Sequence, residues 1–270
     1  MKKYQNFNYH THTYRCGHAD DSMKDIDYVE EFIKKGFKKI AFTDHCPDKN
    51  NIDKRSYMRM NYSDKEEYLN SIKLLKEKYK DKIEIESGYE VEYLPGNEDS
   101  IYELKNEVDK IVLGQHFIYD DNNNLKIFRY DNFTDSDLIK YATYIDEALS
   151  KNIPDIVVHP DLFMLNRDFF GPNEKKVSHM ICSSAEKYNV PLEINLEDIC
   201  FYLNNHISKV RYPSKDFWEI VSDYNIKVVY GIDAHFKEQI RDHEKCIDFA
   251  NNLIGEDVIE KLNFIENIGE

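Results

Sequence analysis

Long apolar runs are missing from this 270-residue chain. No segment approaches the roughly 20 apolar residues that a membrane helix needs, and the opening MKKYQNFNYH lacks the apolar stretch of a secretory signal. The expectation is a cytoplasmic protein with no membrane partner. Cysteine is scarce: Cys16, Cys46, Cys182, Cys200 and Cys246 are odd in number and form no C-x-x-C pair, which predicts reduced thiols without disulfides. Positive charge is in deficit, with 36 basic against 51 acidic residues and a net charge of -15. A polynucleotide backbone would meet repulsion, so no nucleic-acid partner is expected. A small anionic substrate stays open, because bound divalent cations become the largest local charges in an acidic cleft. Glycine and proline are also few, at 9 and 7, and no linker rich in Gly, Pro or Ser divides the chain, which predicts one domain over 1–270.

What the chain does have is a recurring alternation. Short apolar or β-branched runs at 7–10, 39–45, 83–90, 110–116, 155–160, 191–197 and 227–235 predict seven strands. Helical patterns lie between them, at 25–36, 63–80, 134–151, 172–189 and 213–225, with Ser63 and Glu66 at capping-box spacing. The stretch after Phe236 predicts two helices broken near Gly255, and YDDNNNLKIFRYDN (119–132) an exposed loop or small excursion. Strand and helix in turn argue for an α/β fold on a parallel sheet, closed as a barrel or left open.

The polar residues fall at the ends of these strands: HTH, DH, GYE, GQH, HP and DAH close six of the seven runs. In barrels and doubly wound sheets that edge is where active sites are built. Residues two apart on a strand share a face, so His10 with His12, and Asp233 with His235, can each grip one ion. A carboxylate such as Glu90 can bridge two ions, and a mixed imidazole and carboxylate set suits Zn, Mn or Fe. Any one histidine at a strand end is more often structural than ligating; the constellation is what carries weight. His179, His206 and His243 have no partner at telling spacing, and the offsets of Cys16 and Cys46 from His18 and His45 predict thiols pointing away from any shared ion.

The order H-x-H, a further His, D-H, G-x-E, two separate His and D-x-H resembles the PHP superfamily, named for polymerase and histidinol phosphatase. YHTHTYRCGHADDSMKDIDYVEEFIKKGFKKIAFTDHCP and YKDKIEIESGYEVEYLPG are especially similar to PHP-type histidinol-phosphate phosphatases. The resemblance implies a distorted (β/α)7 barrel with two or three divalent transition-metal ions at the strand C-termini. It assigns His10, His12, Glu90 and Asp233 to a first metal, Glu90, His116 and His159 to a second, and His18, His45 and His235 to a third. LGQHFIYDDNNN, with Gln115 before the lone His116, departs from the small residue often found there.

The function so implied is a metal-dependent phosphomonoesterase acting on a small phosphate ester, L-histidinol phosphate first, with another ester or a nucleotide as alternative. A guanidinium suits the remaining phosphate oxygen. Arg167 is the first candidate, with Arg15 and Arg211 behind it; Asp44 or Asp233 would relay a proton to the leaving group. The acidic charge disfavours a nuclease. An amidohydrolase would want a bridging lysine where His116 stands, and a non-catalytic metal-binding regulator would be expected to have lost some ligands.

Overall fold

The computed structural model describes residues 4–49 and 58–265. Its strands are β1 (Phe7–Asn8), β2 (Lys39–His45), β3 (Glu84–Val91), β4 (Lys110–Leu113), β5 (Phe117–Tyr119), β6 (Leu125–Ile127), β7 (Ile156–Val157), β8 (Leu192–Asn195), β9 (Lys227–Gly231) and β10 (Asn263–Phe264). The helices are α1 (Asp25–Lys34), α2 (Lys65–Tyr79), α3 (Glu98–Lys105), α4 (Asp135–Ser150), α5 (Pro172–Tyr188), α6 (Glu197–Leu203), α7 (Lys215–Val221), α8 (Lys237–Ile254) and α9 (Glu256–Ile259).

Eight strands form one parallel sheet in the order β1-β2-β3-β4-β7-β8-β9-β10. The crossovers carry helices, as parallel pairing demands. The seven expected strands are the first seven of that order, and β10 adds a short eighth beside the start of β9. No strand ladder pairs β1 with β9. Across that gap the Gln5 side chain donates to Tyr230 O at 2.7 Å and accepts from Tyr230 N at 3.0 Å, taking the place of a neighbouring strand. Asn8 accepts from Ile232 N at 2.9 Å, and a parallel bridge joins Thr11 to Ala234. The result is a distorted seven-stranded barrel whose seam is joined by the Gln5 and Asn8 side chains and by backbone bonds around Ala234.

Period-two alternation sorts the core. Phe7, Tyr9, Ala41, Val112, Ile156, Val158 and Val229 form a small apolar cluster of their own, while the much larger cluster packs the helices, with Tyr28, Phe32, Tyr141, Phe163 and Trp218 among its fully buried members. Strands covered on both faces explain why the runs read as near-continuously apolar.

Several local expectations change. Ser63 does not cap a helix: it lies in a 3-10 turn, Tyr62–Asp64, and α2 starts after it. Thr134 does cap α4, accepting from Asp137 N at 3.3 Å while Asp137 accepts from Thr134 N at 2.8 Å. The 119–132 stretch contributes half of an antiparallel hairpin, β5 with β6, around the Asp120 turn. The short helices α3 and α6 were not expected. No helix among the described residues is long and apolar enough to cross a membrane.

Candidate metal centre

Parallel register brings strand ends level. Asp44 pairs with Tyr89 and His45 with Glu90 along β2 and β3, which sets His45 beside Glu90 at the same edge. From there the nine expected donors converge. Glu90 Oε2 lies 2.9 Å from His45 Nδ1, 3.5 Å from His12 Nε2 and 3.7 Å from His10 Nε2. Its Oε1 lies 2.9 Å from His159 Nε2 and 3.6 Å from His116 Nε2. Asp233 Oδ1 stands 3.1 Å from His12 Nε2, 3.3 Å from His10 Nε2 and 3.4 Å from His235 Nδ1. His18 completes the set at the exposed rim, its ring 4.5 Å from that of His235 and 5.4 Å from that of His45.

The donor set fits divalent metal ions on grounds independent of sequence. His10 Nε2, His12 Nε2, His45 Nδ1, Glu90 Oε2, Asp233 Oδ1 and His235 Nε2 are buried and have no hydrogen-bond partner among the described residues. They stand near one another without hydrogen-bond geometry, as lone pairs aimed at a common point would. Ligand bonds of about 2.0–2.2 Å to a tetrahedral ion put donors roughly 3.3–3.6 Å apart, and several separations above fall in that range. Triads such as His10, His12 and Asp233, or His18, His45 and His235, have all their donor atoms within 4.8 Å of one another.

Electrostatics and backbone agree. Burial favours the neutral acid at Glu90, yet His45, His116 and His10 hold it well below the usual carboxylate range. Burial likewise opposes charge on His12, yet Asp233 and Asp44 lift its imidazole to about 10. Six described residues other than glycine have positive φ, and four are asparagines, which tolerate it; the other two are His159 (φ 33) and Asp233 (φ 53). Aspartate tolerates this region much as asparagine does, so the strain falls on His159, where the surrounding structure holds it. A Cβ on Gly114 would overlap the Glu90 carboxylate, so that glycine is what lets Glu90 reach the middle of the cluster.

The cluster floors a cleft open to solvent, with about 470 Å3 of empty space, lined also by Arg129, Glu197 and Tyr212. The three expected arginines are not among its lining residues, and carboxylates explain where they went. Arg15 forks onto Asp25 at 2.8 and 2.9 Å and onto Glu67 at 2.7 and 2.9 Å. Arg167 pairs with Glu174 and Asp135 and donates to Phe133 O at 3.2 Å. Arg211 donates to Arg167 O at 3.1 Å and sits 3.5 Å from Asp168. Among the described residues the guanidinium that lines the cleft is Arg129, in the turn after β6, with no hydrogen bond or ion pair to any of them. Phe128, stacked on Phe133 at 3.7 Å and donating from its N–H to His116 O, anchors that turn. Reading 119–132 as a loop hid this residue.

Asp44 also changes place. It is fully buried, accepts from Thr13 N at 3.2 Å and from His45 N at 3.0 Å, lies 3.5 Å from His12 Nδ1 and does not line the cleft. It stands behind the candidate donors, whereas Asp233 faces the cleft. Cys16 is closer than expected, grouped with His12 and His235 and 4.0 Å from His18 Nε2, although burial pushes its thiol up and opposes thiolate ligation. Cys46 instead meets Arg59 at 3.6 Å. Carboxylates behind the donors were missed: Glu92 meets His116 Nδ1 at 3.0 Å and Arg59 at 3.1 Å, and Glu193 meets His10 Nδ1 at 3.0 Å. A charged residue inside an apolar strand run, as in PLEINLE, was their one visible signal.

Residues 8–197 match the PHP domain family. A histidinol-phosphatase of Bacillus subtilis is 32% identical over 145 residues, covering 51% of this chain and 53% of that protein, so the chain spans about half the length of this relative. Among solved structures, one of Listeria monocytogenes described as a candidate histidinol phosphatase has a TM-score of 0.71 at 20% identity, covering 87% of this chain and 97% of that one. Histidinol phosphate phosphatase of Lactococcus lactis, solved with Zn, L-histidinol and phosphate, has a TM-score of 0.66 at 17% identity over 91% of this chain and 94% of that one. Likeness at such identity speaks for the fold. The family match is what decides kinship: it runs from the first histidine motif through the sixth barrel strand, over more than half of the chain, and the chain belongs to the PHP family.

Proposed function

We propose that this chain is a metal-dependent phosphomonoesterase with L-histidinol phosphate as its substrate, holding two or three ions of Zn, Mn or Fe. One observation carries the reading: buried donors that have no hydrogen-bond partner among the described residues converge on Glu90 and Asp233 beneath a cleft lined by the Arg129 guanidinium, which pairs with none of those residues. His10, His12, Glu90 and Asp233 would hold one ion, Glu90, His116 and His159 a second, and His18, His45 and His235 a third. When bound, such ions polarise phosphoryl oxygens and make water a nucleophile at neutral pH.

The chain's own residues do the rest. Arg129 takes a peripheral phosphate oxygen and counters the negative field of the acidic cleft. Asp233, ionised among the histidines, would take up the proton that the attacking water loses and pass it to the departing alkoxide. The histidinol-phosphatase relative supports this ester over others.

Elemental analysis of the purified protein, paired with hydrolysis of a phosphate-ester panel that includes L-histidinol phosphate, tests the reading. Bound metal with preferred turnover of L-histidinol phosphate is the expected result. Hydrolysis confined to nucleotide esters would overturn the substrate, and metal without hydrolysis of any ester would favour a binding protein.

A further inference from the structure

β8 offers no donor to the cluster, yet its two inward side chains are bound to three of the residues that do. Glu193 is buried on β8 and receives four contacts. His10 Nδ1 lies 3.0 Å from its Oε2 and 3.2 Å from its Oε1. Its Oε1 also accepts from His159 N at 3.3 Å and from Asn195 Nδ2 at 2.8 Å. Asn195, fully buried two residues on, donates from the same nitrogen to Asp233 Oδ2 at 3.1 Å. Its Oδ1 accepts from Glu197 N at 2.8 Å, which ties the pair to the start of α6.

Each contact has a definite consequence for the donor it touches. A carboxylate on Nδ1 makes that nitrogen the N–H and leaves Nε2 of His10 as the lone-pair atom, and Nε2 is the nitrogen that faces Asp233 and Glu90. The bond to His159 N holds a backbone at φ 33, a conformation that side-chain-bearing residues rarely adopt. Asn195 fixes one oxygen of Asp233, whose own φ is 53, and leaves the other turned to the histidines. Space for Glu193 comes from across the sheet, because a Cβ on Gly231 would overlap its carboxylate. Gly231 pairs with Asn195 in the β8–β9 register, so glycine, amide and carboxylate form one built unit.

We infer that Glu193 and Asn195 are positioning residues that couple the first and second metal positions. Glu193 sets the tautomer of His10 and the backbone of His159, and Asn195 sets the aim of Asp233. The inference rests on the metal-centre reading above. Supporting residues of this kind typically change metal affinity or activity by about 10- to 100-fold when removed.

The test uses the full-length protein as purified, with Glu193→Gln, Glu193→Leu and Gly231→Ala. Metal content is measured by elemental analysis after dialysis against graded chelator, and the visible spectrum is recorded after Co(II) reconstitution. Glu193→Gln keeps an oxygen acceptor and is expected to weaken metal retention about tenfold; Glu193→Leu should approach about 100-fold. Gly231→Ala, which touches no donor, should follow Glu193→Leu in affinity and in Co(II) spectrum. Metal-free Glu193→Gln should melt with the metal-free parent, a match that a merely structural role would not give. If the Leu and Ala variants fail to fold, Glu193→Gln alone decides. A parent that retains metal while Glu193→Gln retains it equally, with an unchanged Co(II) spectrum, overturns this inference and leaves the metal centre standing. A parent that binds no metal overturns both.

Discussion

Gly114 and Glu90 occupy each other's space: the carboxylate passes where a Cβ on residue 114 would be. Gly114→Ala should therefore displace Glu90, and crowd His116, whose Cε1 lies 2.8 Å from that Cβ, without substituting either residue. The expected result is a loss of metal affinity of about 10-fold or more with little change in the melting temperature of the metal-free protein. Full metal retention by Gly114→Ala would show that Glu90 can serve from elsewhere.

Glu90→Gln probes the carboxylate itself. Five histidines lie within 3.7 Å of its two oxygens, so the neutral amide removes the charge on which they converge. Turnover should fall by at least about 100-fold, and metal content per chain should fall with it. Unchanged turnover at full metal content would end its proposed bridging role.

The arginines separate binding from folding. Arg129→Ala should lower kcat/KM for a phosphate ester about tenfold or more, the scale of one charged hydrogen bond, while leaving the melting temperature nearly unchanged. Arg15→Ala should do the opposite. Arg15 and Asp25 side chains are each only 4% exposed, and stripping one partner from a buried pair costs roughly 3 kcal/mol or more. A KM effect from Arg15→Ala with none from Arg129→Ala would reverse the assignment.

His243 supplies a pH signature away from the cleft. Burial against Phe37 pushes its imidazole below the ordinary 6.5. The unfolded chain takes up that proton more readily than the folded one, so this residue's cost is absent well above pH 6.5 and grows as pH falls through and below it. Urea unfolding at pH 7.5 and 5.5 should show a smaller acid-induced loss of stability in His243→Gln than in the parent. An equal loss would assign the acid sensitivity to other groups.

The clustering of the candidate donors was legible because it obeys a local rule: a strand's period of two and a shared edge fix which residues meet, whatever the loops do. His10 with His12 and Asp233 with His235 needed nothing more. Arg129 was not legible because a hairpin, and not its sequence neighbours, brings it to the cleft. Arg167 misled for the complementary reason: it follows HPDLF closely in sequence, but Glu174 at the start of α5 and Asp135 at the start of α4 capture its guanidinium. Glu193 and Asn195 could be seen as polar residues in an apolar run, but their partners lie on three other segments. The seven-strand count was readable; the side-chain stitching by Gln5 was not, since a lone glutamine has no pattern.

The seam between β1 and β9 runs through the donor cluster. His10 and His12 leave one lip, Asp233 and His235 the other, and His12 N donates to Ala234 O at 2.9 Å between them. A bracelet cut at one point opens there first, and here the cut falls under the clasp. Whatever grips these four residues together also draws the two lips together, closing the long loop of chain that runs between them. Closing so long a loop is costly for a free chain, and that cost rises only slowly with length. Ring closure and the grip on the four donors thus draw on one free energy, and a change that loosens the lips is felt in both.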